Sequence, residues 1–329
     1  MKNFPQMLLA SLLCLTAAGP ILLGQSRGEQ EQAAVAQPAP AAPNFGEPIK
    51  QTWRFGVEIK AGAGNCIGIA ATAPIPIQWD EQAINILEEE KSDNVSRISF
   101  RNLDDGVRQM VVTVPKLAAG ESVRAVLVVQ VEKRHTLLPT ETAGLKIPTS
   151  AQSKKLRKFL SPSPYIESTD KRITELAQQI GDDNDDAWTQ VRAVFDWVKE
   201  NVEYKFDTQI KSCLTALDDG VGDCEEMSSL FIAICRAKGI PARAVWVPGH
   251  TYPEFYLVDA AGNGYWYPCQ VAGGDNDFGR MPEDRPILQR GDNLRVPGMK
   301  EPLRYVQPTL TAKSADANPE LKWILEKVE

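Results

Sequence analysis

Gly222-Asp223-Cys224-Glu225-Glu226-Met227-Ser228-Ser229-Leu230-Phe231-Ile232-Ala233-Ile234-Cys235-Arg236-Ala237-Lys238-Gly239-Ile240-Pro241-Ala242-Arg243 is the stretch whose reading decides the fold. Asp223 is an N-cap residue and Glu226 stands three positions on, the spacing of a capping box. Met227, Leu230, Phe231 and Ile234 recur at i, i+3, i+4 and i+7, which predicts a helix with one buried face. Gly239 ends it and Pro241 prevents its continuation. Downstream, Arg243 to Val247 and Glu254 to Asp259 read as strands. Ala260-Ala261-Gly262-Asn263-Gly264 is a turn, and Tyr265 to Cys269 returns as a strand. His250, one of only two histidines in the chain, follows Pro248-Gly249.

The pattern places a cysteine at a helix start. Cys224 there lies near unpaired backbone N–H groups and the positive end of the helix dipole, which favours a thiolate. Glu225 and Glu226 oppose that, so an imidazolium from His250 is needed to complete the activation. The same free N–H groups suit a developing oxyanion. Of the other cysteines, Cys235 falls on the apolar helix face and reads as a small core residue. Cys213 and Cys269 flank the proposed site and are candidates for a disulfide. With Cys14 removed in a leader, five cysteines remain; that odd count leaves at least one thiol free or paired between chains.

Upstream of this region the signals are β. Thr52 to Ile59, Val95 to Phe100, Val107 to Val114 and Val123 to Val131 are β-rich runs separated by turn residues, the pattern of an antiparallel sandwich. His135 lies just past the last of them and reads as a surface or packing residue. Thr169 or Asp170 caps a helix ending before Gly181. A second helix begins in Asp182-Asp183-Asn184-Asp185-Asp186 and carries Trp188, Val191, Phe195 and Val198 on one face. That acidic run lacks the glycine and bidentate glutamate of a calcium loop and reads as helix-start carboxylates.

The chain has 329 residues, is 43% hydrophobic and carries a net charge of −7, enough for two modest cores and unsuited to nucleic acid. Lys154-Lys155-Leu156-Arg157-Lys158, the one basic run, reads as a solvated segment between domains. Lys2 followed by the apolar stretch Met7 to Ala18 predicts an export signal cleaved after Ala18 or near Gly24, with an uncleaved anchor as the alternative. The organisation expected is a signal segment over 1–24, a disordered Gln/Ala/Pro-rich linker over 25–48, a β-sandwich over 49–135, a connector over 136–168, a catalytic domain over 169–310 and a C-terminal tail or helix over 311–329.

The ordered set resembles the transglutaminase-like superfamily, a branch of the papain-like cysteine enzymes. Gly222-Asp223-Cys224 is similar to its nucleophile turn, and Arg236 to Arg243 to its helix exit. His250 with Glu254 and Tyr256 resembles its histidine strand, and Trp266 and Pro268 its next strand. The resemblance implies an α+β fold in which a helix cluster packs on an antiparallel sheet behind an accessory β-domain. It implies Cys224 as nucleophile, His250 as general base and acid, acyl transfer or hydrolysis on a protein, peptide or amide substrate, and neither cofactor nor metal. Two positions depart from the family pattern. Tyr252 stands where a tryptophan is usual, and Gln270 stands where an aspartate follows the strand tryptophan by four. Gln270 is then the expected orienter of the imidazole, with Asp275 or Asp277 as alternatives. Two other readings remain: an inactive binding or scaffolding protein of the cell envelope, and a structural envelope protein held by disulfides.

Overall fold

The computed structural model describes residues 41–103, 106–182, 184–273 and 276–328, and the predicted signal segment and most of the linker lie outside them. The architecture is α+β. Six strands come first: β1 (Asn44–Lys60), β2 (Cys66–Ile75), β3 (Gln82–Lys91), β4 (Arg97–Asn102), β5 (Arg108–Leu117) and β6 (Ser122–Leu137). After a 3-10 helix at Gln152–Phe159 come α1 (Lys171–Gln179), α2 (Ala187–Asn201), β7 (Glu203–Tyr204), α3 (Cys213–Asp219), β8 (Val221–Gly222) and α4 (Cys224–Ala237). The chain then forms β9 (Ala242–Val247), β10 (His250–Val258), β11 (Gly264–Pro268), β12 (Gln289–Arg290), β13 (Thr309–Thr311), β14 (Ser314–Ala315) and β15 (Glu320–Lys327).

One sheet of the sandwich runs β15-β1-β6-β3 and the other β13-β2-β5-β4, with β14 also on β2. Alternation along β1 sends Phe55, Val57 and Ile59 inward, where they meet Ile69, Ala71, Met110, Val112 and Val114 of the facing sheet. Each of the Phe, Val, Ile and Met side chains contributes about 1.5–3 kcal/mol on burial. Two expectations change here. The segment read as a tail or helix over 311–329 contains strands: β15 pairs antiparallel with β1, Phe55 opposite Leu325 and Val57 opposite Trp323. Leu321, Ile324 and Leu325 suit a helix in isolation, but Leu321, Trp323 and Leu325 alternate, and the free edge of β1 selects the strand. The linker also ends earlier than expected, because β1 begins at Asn44 and pairs with Leu137. His135 accordingly falls inside β6, with its Nε2 2.5 Å from Asp284 Oδ1.

The second core is built on α4, which packs against the antiparallel sheet β11-β10-β9-β12. Asp170 caps α1 and Asp186 caps α2, each carboxylate accepting a backbone N–H of its first turn. Nearly every side chain of α4 from Glu226 to Arg236 is buried, not one face of it, because α1, α2, α3 and β10 enclose it. The exit of α4 explains its residues. Gly239 takes the left-handed conformation (φ 78°), and the Ile240 N–H reaches back to the Cys235 carbonyl at 2.9 Å. Arg236, fully buried, forms a bidentate pair with Asp292 at 2.8 and 2.9 Å and donates to the carbonyls of Ala242 and Ser161. It thereby ties the helix end to β9 and to two loops. All five described cysteines are free, so Cys213 and Cys269 do not pair. The Cys213 thiol instead donates to Glu167 Oε2 at 3.0 Å, and Cys269 is buried near Cys235.

Candidate active site

Cys224 is the first residue of α4, and its surroundings fix it there. The Asp223 carboxylate accepts the Glu225 N–H at 2.7 Å, while the Glu226 carboxylate accepts the Asp223 N–H at 3.1 Å. Glu226 also accepts the Lys211 N–H at 2.7 Å, which anchors the preceding loop. As an N1 residue, Cys224 keeps its own N–H outside the helical ladder. The thiol is half-buried, and burial pushes it up to about 12; the Thr251 N–H bonded to its sulfur opposes this, while Glu225, Asp223 and Glu226 reinforce it. At neutral pH the resting group is therefore a thiol. The helix-start advantage expected from sequence is present, but desolvation and three carboxylates outweigh it.

His250 opens β10 directly after a two-residue turn. Proline at the second position and Gly249 in the left-handed region (φ 70°) at the third suit a type II turn, and Val247 pairs with His250 across it. His250 Nε2 donates to Gln270 Oε1 at 3.0 Å. An amide oxygen only accepts, so this bond puts the ring proton on Nε2 and leaves Nδ1 with its lone pair. Gln270 is itself held by its N–H to the Asp277 carbonyl at 2.7 Å. Of the alternative orienters, Asp275 lies outside the described residues, and the Asp277 carboxylate pairs with Arg280 at 2.6 Å. Burial and the Arg285 guanidinium lower the His250 pKa, against upward contributions from Gln270, Glu283 and Asp223. The ring is a neutral imidazole at neutral pH.

Four contributors have no local sequence signal. Glu283 and Arg285 form a doubly bonded pair (2.8 and 2.6 Å), and Arg285 also donates to the Pro248 carbonyl in the turn before His250. Arg304 reaches Glu225 Oε2 at 3.2 Å from a loop 79 residues away in sequence. The backbone N–H of Thr251 carries no side-chain identity at all.

Cys224 and His250 line one cleft of about 410 Å³. Phe206, Trp246, Tyr305 and Trp323 supply its aromatic wall, so β15 of the sandwich helps enclose the thiol. Among the described residues no group of three or more His, Cys, Asp or Glu is arranged to hold a metal ion. What the arrangement offers is a thiol, a neutral imidazole with an oriented ring, and a helix start, all within reach of one cavity.

Such a set on a helix packed against an antiparallel sheet is the arrangement that the resemblance in sequence implies. Residues 174–271 match the sequence profile of the Transglutaminase-like superfamily, and the chain carries a domain of that superfamily. Among solved structures, a candidate cysteine protease from Cytophaga hutchinsonii superposes with a TM-score of 0.57 at 16% identity. It covers 87% of this chain and 93% of that one, a likeness of fold that extends over the sandwich as well. An uncharacterized protein of Haemophilus influenzae is 23% identical over 181 residues, 53% of this chain and 48% of that protein. This chain thus spans about half the length of the curated relative it matches.

Proposed function

We propose that this protein is an exported cysteine hydrolase acting on peptide or amide bonds through Cys224 and His250. The observation that carries the reading is the shared cleft, with Cys224 at a capped helix start and the His250 ring held by Gln270. Because the resting pair is thiol and neutral imidazole, attack is coupled to proton transfer. His250 Nδ1 takes the thiol proton as Cys224 Sγ bonds to the carbonyl carbon. The carbonyl oxygen takes up the electron pair and is stabilised by the free N–H at the start of α4. The tetrahedral intermediate collapses, the C–N bond breaks, and His250 returns the proton to the departing amine. Water, deprotonated by His250, then cleaves the thioester and regenerates the thiol. Hydrolysis is favoured over crosslinking by the fold shared with a candidate cysteine protease. The apolar segment Met7 to Ala18 behind Lys2 supports export.

A second reading, an inactive envelope binding protein, is favoured by Gln270 in place of an acid and by the raised thiol pKa. Screening the wild type and Cys224→Ala against amide, peptide and cell-wall substrates separates the two. The hydrolase reading expects turnover in the wild type and a loss on the order of 10⁶-fold in kcat for the variant. Equal activity in both, or none in the wild type on any amide, supports the binding protein.

A further inference from the structure

We propose that the aromatic wall of the cleft is a specificity pocket for an aromatic side chain in the acyl segment of the substrate, with Trp323 as its main selector. The proposal rests on the reading of Cys224 as the nucleophile and adds the class of substrate. Three rings form a continuous series: Trp246 and Tyr305 lie 4.4 Å apart between centroids, and Tyr305 and Trp323 6.4 Å, tilted at 43° and 48°. Trp246 is 5% exposed and has the Arg304 guanidinium 5.3 Å from its ring centroid, so the half-buried Tyr305 and Trp323 present the edges and faces open to another ring. At the rim stands Phe206, 71% exposed and the most exposed large apolar side chain among the described residues. Covering it with a ligand removes apolar area from water.

Charge narrows the choice of occupant. Asp207, Asp223 and Glu225 line the cleft, and neither lysine nor arginine does. An acidic side chain would meet these carboxylates directly, while the cations nearby are already engaged, Arg304 with Glu225 and Lys211 with Asp207. At about 410 Å³ the space lies within the range of about 300–1,000 Å³ typical of small-molecule sites, so it admits one large side chain with its flanking backbone. The rings come from separate parts of the fold: Trp246 from β9, Tyr305 from the loop before β13, and Trp323 from β15. Trp323 packs against the sandwich core and Tyr305 against the α4 core. The sandwich therefore contributes directly to selectivity at the thiol.

The test uses the full chain and a matched peptide series differing only at the acyl-side residue (Phe, Ala or Glu), read as kcat/KM. Two haloacetamides, iodoacetamide and its N-benzyl form, are compared in parallel for their rates of Cys224 alkylation. The expected order is Phe over Ala by roughly ten- to a hundredfold, with Glu last. Trp323→Ala collapses the Phe/Ala ratio and the benzyl/parent alkylation ratio together, and Trp323→Phe restores most of both. Thermal unfolding of each variant identifies a fold defect, and Trp323→Phe carries the test if the alanine variant fails to fold. Peptide turnover without an aromatic preference, or a preference that survives in Trp323→Ala, overturns the pocket and leaves the hydrolase reading intact. No peptide turnover, with a benzyl preference that Trp323→Ala removes, sinks the hydrolase reading and supports the pocket.

Discussion

Two desolvated carboxylates on either side of the β9–β10 layer have opposite protonation behaviour. Ala242, Ala244, Trp246 and Phe255 face α4, while Val245, Val247 and Tyr252 face the other way, and by alternation so do Arg243 and Glu254. On that far side Glu81 is deeply buried, which alone would raise its pKa. Arg290 and Lys133 more than reverse this and hold the carboxyl below its usual range. On the cleft side Glu225 is half-buried and largely desolvated, and Arg304 at 3.2 Å does not compensate. With Asp223 and Glu226 adding repulsion, the Glu225 carboxyl is pushed up to about 7. The far cluster holds its charges in place: Arg290 contacts both Glu81 and Glu254, and Arg243 meets Glu254 at 2.7 Å while lying 3.9 Å over Trp266. The cleft leaves Glu225 near neutrality and holds the Cys224 thiol far above it. Desolvation thus leaves a fixed charge on one side and a titratable group on the other, and the difference lies in the number of cations supplied.

The largest effect expected from this contrast is on stability. Arg290→Ala leaves Glu81 and Glu254 short of a cation in a dry site, and the unfolding free energy should fall by about 3–5 kcal/mol in denaturant titrations. Arg304→Ala should cost clearly less, because Glu225 sits near neutrality and escapes by taking a proton. Equal losses for the two arginines would break the comparison. Next comes the ring orienter. Gln270→Ala should lower kcat on the order of 10²–10³-fold, the scale of a misdirected general base, and reduce stability by no more than about 1 kcal/mol. A stability loss with unchanged turnover per folded molecule would move Gln270 from the chemistry to the scaffold.

How much of this was legible beforehand follows from range in sequence. The capping box and the Gly239 exit are each specified within a few residues and form as the residues predict, whereas the strand expected from Glu254 begins earlier, at His250. Gln270 is marked only by the family resemblance, which places the orienter four positions after Trp266; Tyr256 faces Trp266 across β10 and β11. By contrast, Ala70-Ala71-Thr72-Ala73 of β2 shows no alternation, because Ala71 to Ile75 are buried on both faces, and small residues give no periodic signal. Trp323 entered the cleft only because β1 offered an edge to β15, a tertiary fact. Cys224 shows the same limit for charge. Helix position argued for a thiolate, but the sum of burial and carboxylates depends on packing that no local pattern encodes.

The smallest effect is the most diagnostic of the cleft. Glu225 has a folded pKa of about 7 against an ordinary value of 4.5, so its contribution to folding is whole below about pH 4.5. It is lost as pH rises toward 7, because ionising the buried carboxyl favours the unfolded chain. Across that interval the wild type should lose at most about 3 kcal/mol from this group. Glu225→Gln should flatten that part of the stability–pH curve, measured by denaturant midpoints at pH 4 to 8. The same substitution removes a carboxylate that raises the Cys224 pKa, so alkylation of Cys224 should begin at lower pH. The two readouts are linked through one charge. If the stability curve flattens while the alkylation profile stays put, Glu225 is buried but does not act on the thiol. If both shift together, the proton on Glu225 is part of what sets the reactivity of Cys224 near neutral pH.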